Sequence, residues 1–153
     1  MARRPDRAGR ARSLSRKLAM QALYQWQLTG QTAAELRNQY ASEEGFGDAD
    51  AEYFRELLNG ITDGAAVLDE SLGGLIDRPV GQLDPVEHAV LLIGLFELGQ
   101  RPDVPYRVVI NEGVELAKRF GATEGHKFVN AVLDRAARSL RAAEQAAAGA
   151  ARS

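Results

Sequence analysis

The sequence predicts an all-α protein of about six or seven helices joined by short connections. Three observations predict it. Apolar residues recur in steps of three and four through nearly everything after the basic N-terminal arm. No alternating apolar–polar run competes as a strand. Capping residues, prolines and glycines stand where the periodic segments begin and end. The length of 153 residues suits one compact domain.

Leu14, Leu18, Ala22 and Trp26 recur every four residues, with Leu23 beside them, on a first helix that Gly30 stops after about Thr29. Its apolar stripe places Trp26 in the core. Thr32 and Glu35 have capping-box spacing, in which a hydroxyl and a carboxylate satisfy first-turn backbone donors reciprocally. Leu36 and Tyr40 form the stripe of that second helix, and Gly45-Phe46-Gly47 reads as a loop. From Asp48 to about Ile76 runs one long periodic stretch, weakened at Gly60 and Gly64 by roughly 1 kcal/mol each relative to alanine, so a bend is expected there. Asp84, Pro85 and Glu87 make the strongest helix start in the chain: a capping side chain, a proline at the first helical position and a glutamate three residues on. Its helix carries Val86, Ala89, Val90, Ile93, Leu95 and Phe96 and stops near Gly99. A further helix opens at about Pro105 and ends at Gly121, and the last runs from about Thr123 to Leu140. Beyond Arg141 the run AAEQAAAGAARS has nothing to bury and is expected to fray. The organisation predicted is a basic, largely flexible arm over residues 1–13, a helical domain over 14–141 and a frayed tail over 142–153.

Composition excludes several classes. There is no cysteine, hence no disulfide, thiolate nucleophile or cysteine-bound metal. The longest apolar run, Ala89 to Phe96 (AVLLIGLF), is far short of the roughly 20 residues that cross a bilayer, so no membrane span is expected. No apolar stretch of signal-peptide type follows the basic start, and a cytoplasmic address is expected. Charge is divided sharply. Residues 1–17 hold seven basic side chains against Asp6 alone, a net +6, whereas the remainder holds twelve basic against twenty acidic, a net −8. A basic arm on an acidic body suits contact with a polyanion, and arginine suits bidentate phosphate contacts and stacking on bases.

Catalytic chemistry is thinly represented. The two histidines, His88 and His126, lie in different helical segments, and no zinc-protease, nucleophile-elbow, Walker or dinucleotide-binding pattern occurs. Asp48, Asp50 and Glu52 imitate the start of a calcium loop, but its sixth position, which requires glycine, is Tyr53. Glu87 and His88 are neighbours and splay about 100° apart on a helix. Glu112 and Glu115 are followed at helical spacing by Lys118 and Arg119, which describes a solvated, salt-bridged face. No catalytic residue, metal or cofactor is expected. Recognition remains: the arginines lead into a helix bearing Tyr24 and Trp26, and aromatic and guanidinium groups together read unpaired bases. Phe128, beside His126 and Lys127 at a helix start, reads either as a base platform or as the first core residue of its helix.

Four blocks of residues resemble the NusB family of transcription antitermination factors. They are the arginine-rich entry with Ala22–Leu28 (ALYQWQL); Pro85–Leu91 (PVEHAVL) continuing to Phe96-Glu97-Leu98; Asp103–Glu112 (DVPYRVVINE) continuing to Glu115–Gly121 (ELAKRFG); and His126–Asp134 (HKFVNAVLD). They stand in family order across about residues 10–138. The resemblance implies two small helix bundles packed together and no catalytic activity. It also implies pairing with NusE, a small-subunit ribosomal protein, and joint binding of single-stranded boxA RNA in nascent ribosomal RNA leaders. Other Nus factors and RNA polymerase complete the implied assembly, and a homodimer is a further state that the resemblance leaves open.

By motif position, the resemblance assigns Arg10, Arg12 and Arg16 to the RNA backbone, Glu124, Lys127 and Phe128 to the bases, and Tyr24 and Glu87 to the protein partner. The chain departs from the family pattern in its longer arm, in Ala131 where glycine is frequent, and in Leu92 where a basic residue is frequent. Two alternatives keep the fold and change the role. One is a stand-alone RNA-binding domain like that of certain rRNA cytosine methyltransferases, without the Gly-rich signature of their cofactor domain. The other is a helical protein-interaction module that binds no RNA.

Overall fold

The computed structural model describes residues 7–151, so Arg3, Arg4 and Asp6 of the expected arm lie outside the described residues. Among those described there are eight α-helices and no strand, one or two helices more than periodicity suggested. They form two compact units, one reaching to Gly64 and the other starting at Ala65.

The first unit contains α1 (Arg7–Thr29), α2 (Ala33–Ala41), a 3₁₀ turn at Phe46–Asp48 and α3 (Ala51–Asp63). Helix α1 begins seven residues before Leu14, so residues 7–13, read from the sequence as part of a flexible arm, are helical. Arginine and alanine are strong helix formers, and the turn is tied down: the Ser15 hydroxyl donates to the carbonyl of Asp50 at 2.7 Å, and the Asp50 N–H donates to the carbonyl of Ala11 at 3.3 Å. Gly30, at φ 72°, ends α1 as expected. Thr32 and Glu35 form the capping box that opens α2, and Asp50 caps α3 through the Tyr53 N–H at 3.0 Å. Met20, Leu23, Leu36, Phe54, Leu57, Leu58 and Ile61 are fully buried, whereas Trp26 is only half-buried.

The second unit contains α4 (Ala65–Gly73), a 3₁₀ turn at Val80–Gln82, α5 (Pro85–Gln100), α6 (Tyr106–Phe120), α7 (Gly125–Leu140) and α8 (Ala142–Ala151). The single stretch expected from Asp48 to Ile76 is thus two helices, broken rather than bent, because α3 ends with Gly64 as its cap. Asp84 caps α5 as the sequence predicts, accepting from the N–H groups of Val86 at 2.9 Å and Glu87 at 3.2 Å, with Pro85 in the first turn. From Ala89 to Leu98 every residue of α5 is buried, and the helix packs on α4, α6 and α7.

Leu133 of α7 fixes the close approach of α5, α6 and α7. A Cβ placed on Gly94 would lie 2.5 Å from its Cδ2, and one on Gly113 would lie 2.8 Å from its Cδ1. Leu133 is fully buried, so any shift of its side chain must be taken up within a close-packed interior.

The C-terminal segment does not fray at Arg141. That side chain is buried and closes the end of α5, donating from Nε to the Leu98 carbonyl at 2.8 Å and from Nη2 to those of Glu97 at 3.1 Å and Arg101 at 2.8 Å. Glu144 accepts from Arg141 Nη1 at 2.5 Å and, through its other oxygen, from the Tyr106 N–H at the start of α6 at 3.0 Å. Burial alone would raise the Glu144 carboxyl, but the Tyr106 N–H and Arg141 outweigh it and hold the group below its ordinary range. A polar latch therefore orders a tail that has little apolar surface to bury.

Gly94→Ala is expected to destabilise the protein by about 1–3 kcal/mol in denaturant unfolding, through overpacking against Leu133. Combining it with Leu133→Ala, itself costing about 2–5 kcal/mol, should give a loss smaller than the sum, because the smaller side chain frees the space that the new methyl needs. Strictly additive losses would show that Gly94 and Leu133 do not share one packing site.

Candidate functional site

The expected site residues fall in both units. In the first unit the arginines of α1 divide by helical geometry. Residues two apart on a helix lie about 200° apart, so Arg10 faces away from Arg12, whereas Arg12 and Arg16, four apart, share a face. That face meets α3: the Arg12 guanidinium lies 4.5 Å from the Tyr53 ring centroid and that of Arg16 lies 5.4 Å from it. Arg12 Nε is also 4.0 Å from Asp50 Oδ2. Arg16 is only 3% exposed. Arg16, expected on the RNA backbone, has its guanidinium in the interior of the first unit. Arg10 is exposed, and Arg7, three residues earlier on the same face, joins it along an open cleft bounded by Gly47, Asp48 and Ala49. Arg7 is absent from the expected set, although carrying the helical period back from Leu14 through Arg10 leads to it.

Tyr24 is exposed on α1 next to Leu28, which is 58% exposed, beside a shallow cleft with Gln21, Gln25, Thr29 and Tyr40. Burial, helped by the charge of Glu43, raises the Tyr40 hydroxyl above its ordinary pKa, and the hydroxyl donates to Gln25 Oε1 at 3.3 Å. The lining of this cleft mixes aromatic and apolar side chains with two glutamine amides.

In the second unit, Glu87, Glu124, Lys127 and Phe128 gather at the entry to α7. Glu124 adopts a left-handed conformation, φ 68° and ψ 0°, so α7 starts at Gly125 rather than at Thr123. Lys127 Nζ pairs with Glu124 Oε2 at 2.6 Å on the exposed side. Phe128 is half-buried, and the exposed Arg78 sets its guanidinium carbon 4.3 Å from the ring centroid. No sequence signal points to Arg78, which lies fifty residues earlier in a turn-rich stretch.

Glu87 is 7% exposed and does not answer Asp84 in a capping box. Its carboxylate accepts from the Ala122 N–H, and a Cβ on Gly125 would sit 2.8 Å from its Oε2. Burial raises the Glu87 pKa above its ordinary value, and Asp84 raises it further; the Ala122 N–H and the charge of Arg78 draw it down without cancelling the rise. Glu87, expected toward the protein partner, braces the loop that carries Glu124 and leads into the first turn of α7, where Phe128 stands. His88, one residue on, is tied to Asp69 with Nε2 at 2.6 Å from Oδ1. Among the described residues no group of three His, Asp or Glu side chains is arranged to hold a metal ion.

A family model described as the NusB family matches residues 13–138. The chain is 54% identical over 139 residues to the transcription antitermination protein NusB of Halorhodospira halophila, covering 90% of this chain and 89% of that one. It is 50% identical over 147 residues to the transcription antitermination protein NusB of Marinomonas sp., covering 95% and 84%. Its fold matches a solved structure of T. maritima NusB with a TM-score of 0.73 at 27% identity, over 83% of this chain and 90% of that one. A structure of NusB and NusE in complex with dsRNA shares the fold with a TM-score of 0.68 at 24% identity, over 85% and 98%.

The raised Glu87 pKa has a defined sign. Stability from this group is fully present below the unfolded value, ordinarily 4.5, and is lost as pH rises through the higher folded value. Glu87→Gln keeps an oxygen for the Ala122 N–H and carries no charge. The melting temperature of the variant relative to wild type should therefore become more favourable as pH is raised from about 4 to about 7. A difference that stays constant with pH would show that Glu87 ionises without cost in the folded state.

Proposed function

Because the chain belongs to the NusB family, we propose that it is a transcription antitermination factor that binds single-stranded boxA RNA of nascent ribosomal RNA leaders together with NusE. In this reading it acts in the cytoplasm, beside other Nus factors and RNA polymerase, and catalyses no reaction. No helix among the described residues is long and apolar enough to cross a membrane.

The observation that carries the RNA half of the reading is the pair Arg7 and Arg10, exposed on one face of α1 at the basic end of the chain. The remainder beyond residue 17 has a net charge of −8, so the long-range attraction to RNA comes chiefly from the arm, and any phosphate contact elsewhere is local. Arg12, on the opposite face, is engaged with Tyr53 and Asp50. In the second unit, the exposed Lys127 and Glu124 and the half-buried Phe128 form the group that this reading sets toward the bases, with Glu87 positioning the loop before α7. Tyr24 and Leu28 provide the apolar surface that suits NusE.

Replacing Arg7 and Arg10 together by Gln should weaken binding to a boxA-type RNA oligonucleotide and flatten the slope of log affinity against log salt by about 1.4, at about 0.7 per phosphate on a single strand. Helicity by circular dichroism should be unchanged, since glutamine is a good helix former. Arg16→Gln should instead lower the melting temperature, as it removes a buried guanidinium from Tyr53. Wild-type affinity and slope in the Arg7/Arg10 variant would refute the arm as the RNA site.

A further inference from the structure

Phe128 offers a ring to unpaired bases only where its face is open, and the guanidinium of Arg78 lies over that ring at 4.3 Å. Contact with an aromatic face uses the π surface of a guanidinium and leaves its in-plane N–H donors available. Arg78 is exposed, while Phe128 is half-buried and anchored in the first turn of α7. The charge of Arg78 also acts on Glu87, whose carboxylate braces the Ala122–Gly125 loop below. The ring thus seats one exposed cation at the entry to α7, whose preceding residue Glu124 pairs with Lys127.

We propose that Arg78 is an RNA-phosphate contact of this protein and that Phe128 acts chiefly as the seat that orients it. The assignment deepens the RNA-binding reading above and rests on it. A guanidinium held by an aromatic face presents a fixed fork to a phosphate, which a lysine on a flexible stem does not. The site therefore selects for arginine, and the effect of Phe128 on RNA passes through Arg78.

The test measures binding of a labelled single-stranded boxA-type oligonucleotide across a salt series. It compares wild type, Arg78→Gln, Arg78→Lys, Phe128→Leu and the Arg78→Gln/Phe128→Leu double variant, with helicity checked by circular dichroism. Arg78→Gln should lower affinity about tenfold, the scale of one charged hydrogen bond, and flatten the salt slope by about 0.7. Arg78→Lys should restore the slope but only part of the affinity. Phe128→Leu, which keeps an apolar side chain in place, should weaken binding, and the double variant should bind no worse than Arg78→Gln. Additive losses in the double variant, or wild-type affinity and slope in Arg78→Gln, would overturn the proposal while leaving RNA binding in place. Loss of NusE binding by Arg78→Gln with RNA binding intact would also overturn it, assigning the residue to the protein interface. Wild-type protein that fails to bind the RNA even at low salt would overturn the functional reading, and this assignment with it.

Discussion

Leu133 sits where two glycines leave room for it, and the second unit is organised around that fit. Helices normally pack 8–10 Å apart, held off by the side chains between them. Gly94 on α5 and Gly113 on α6 remove those side chains at the place where α7 presents its leucine. The register of α7 is fixed by this fit, and with it the first turn that carries Lys127 and Phe128. An apolar contact in the interior thus sets the placement of polar groups at the surface.

A second layer of constraint is polar. Arg141 and Glu87 are both buried ionisable groups, and each is spent on backbone groups that helices leave without partners. Arg141 collects the last carbonyls of α5, and Glu87 takes an N–H from the loop before α7. Arg141 is in addition paired with Glu144. Their contribution is to close helix ends that would otherwise be buried with unsatisfied backbone groups.

Local signals were legible in the sequence and long-range ones were not. Thr32 with Glu35, and Asp84 with Pro85, could be read because a cap depends on residues within one turn of each other. The bounds of α1 were harder: its first seven residues have no apolar stripe, and what orders them is contact with Asp50, thirty-five residues beyond Ser15. Arg16 lies within the helix that periodicity already marks from Leu14; its assignment to RNA rests on the family resemblance, and its burial against Tyr53, thirty-seven residues on, has no local signal. Phe128 and Glu124 share one locality by sequence proximity alone, but nothing near Arg78 hints at an aromatic ring fifty residues away. Glu87 was found for its position in a motif, and its burial could not be read from a helix that is apolar on every side.

The reach of Glu144 back to Tyr106 bears on where this chain tolerates being shortened or joined to another. Hydrophobic periodicity would place the boundary at Leu140 or Arg141, since the residues beyond are mostly alanine. A cut there leaves α6 without its first-turn acceptor and leaves Arg141 without the carboxylate that balances its charge. Ala146 and Ala147 are exposed and their side chains carry no polar link to the rest of the unit. The functional end of the folded domain therefore lies a full helical turn later than its last apolar residue, set by a carboxylate rather than by the core.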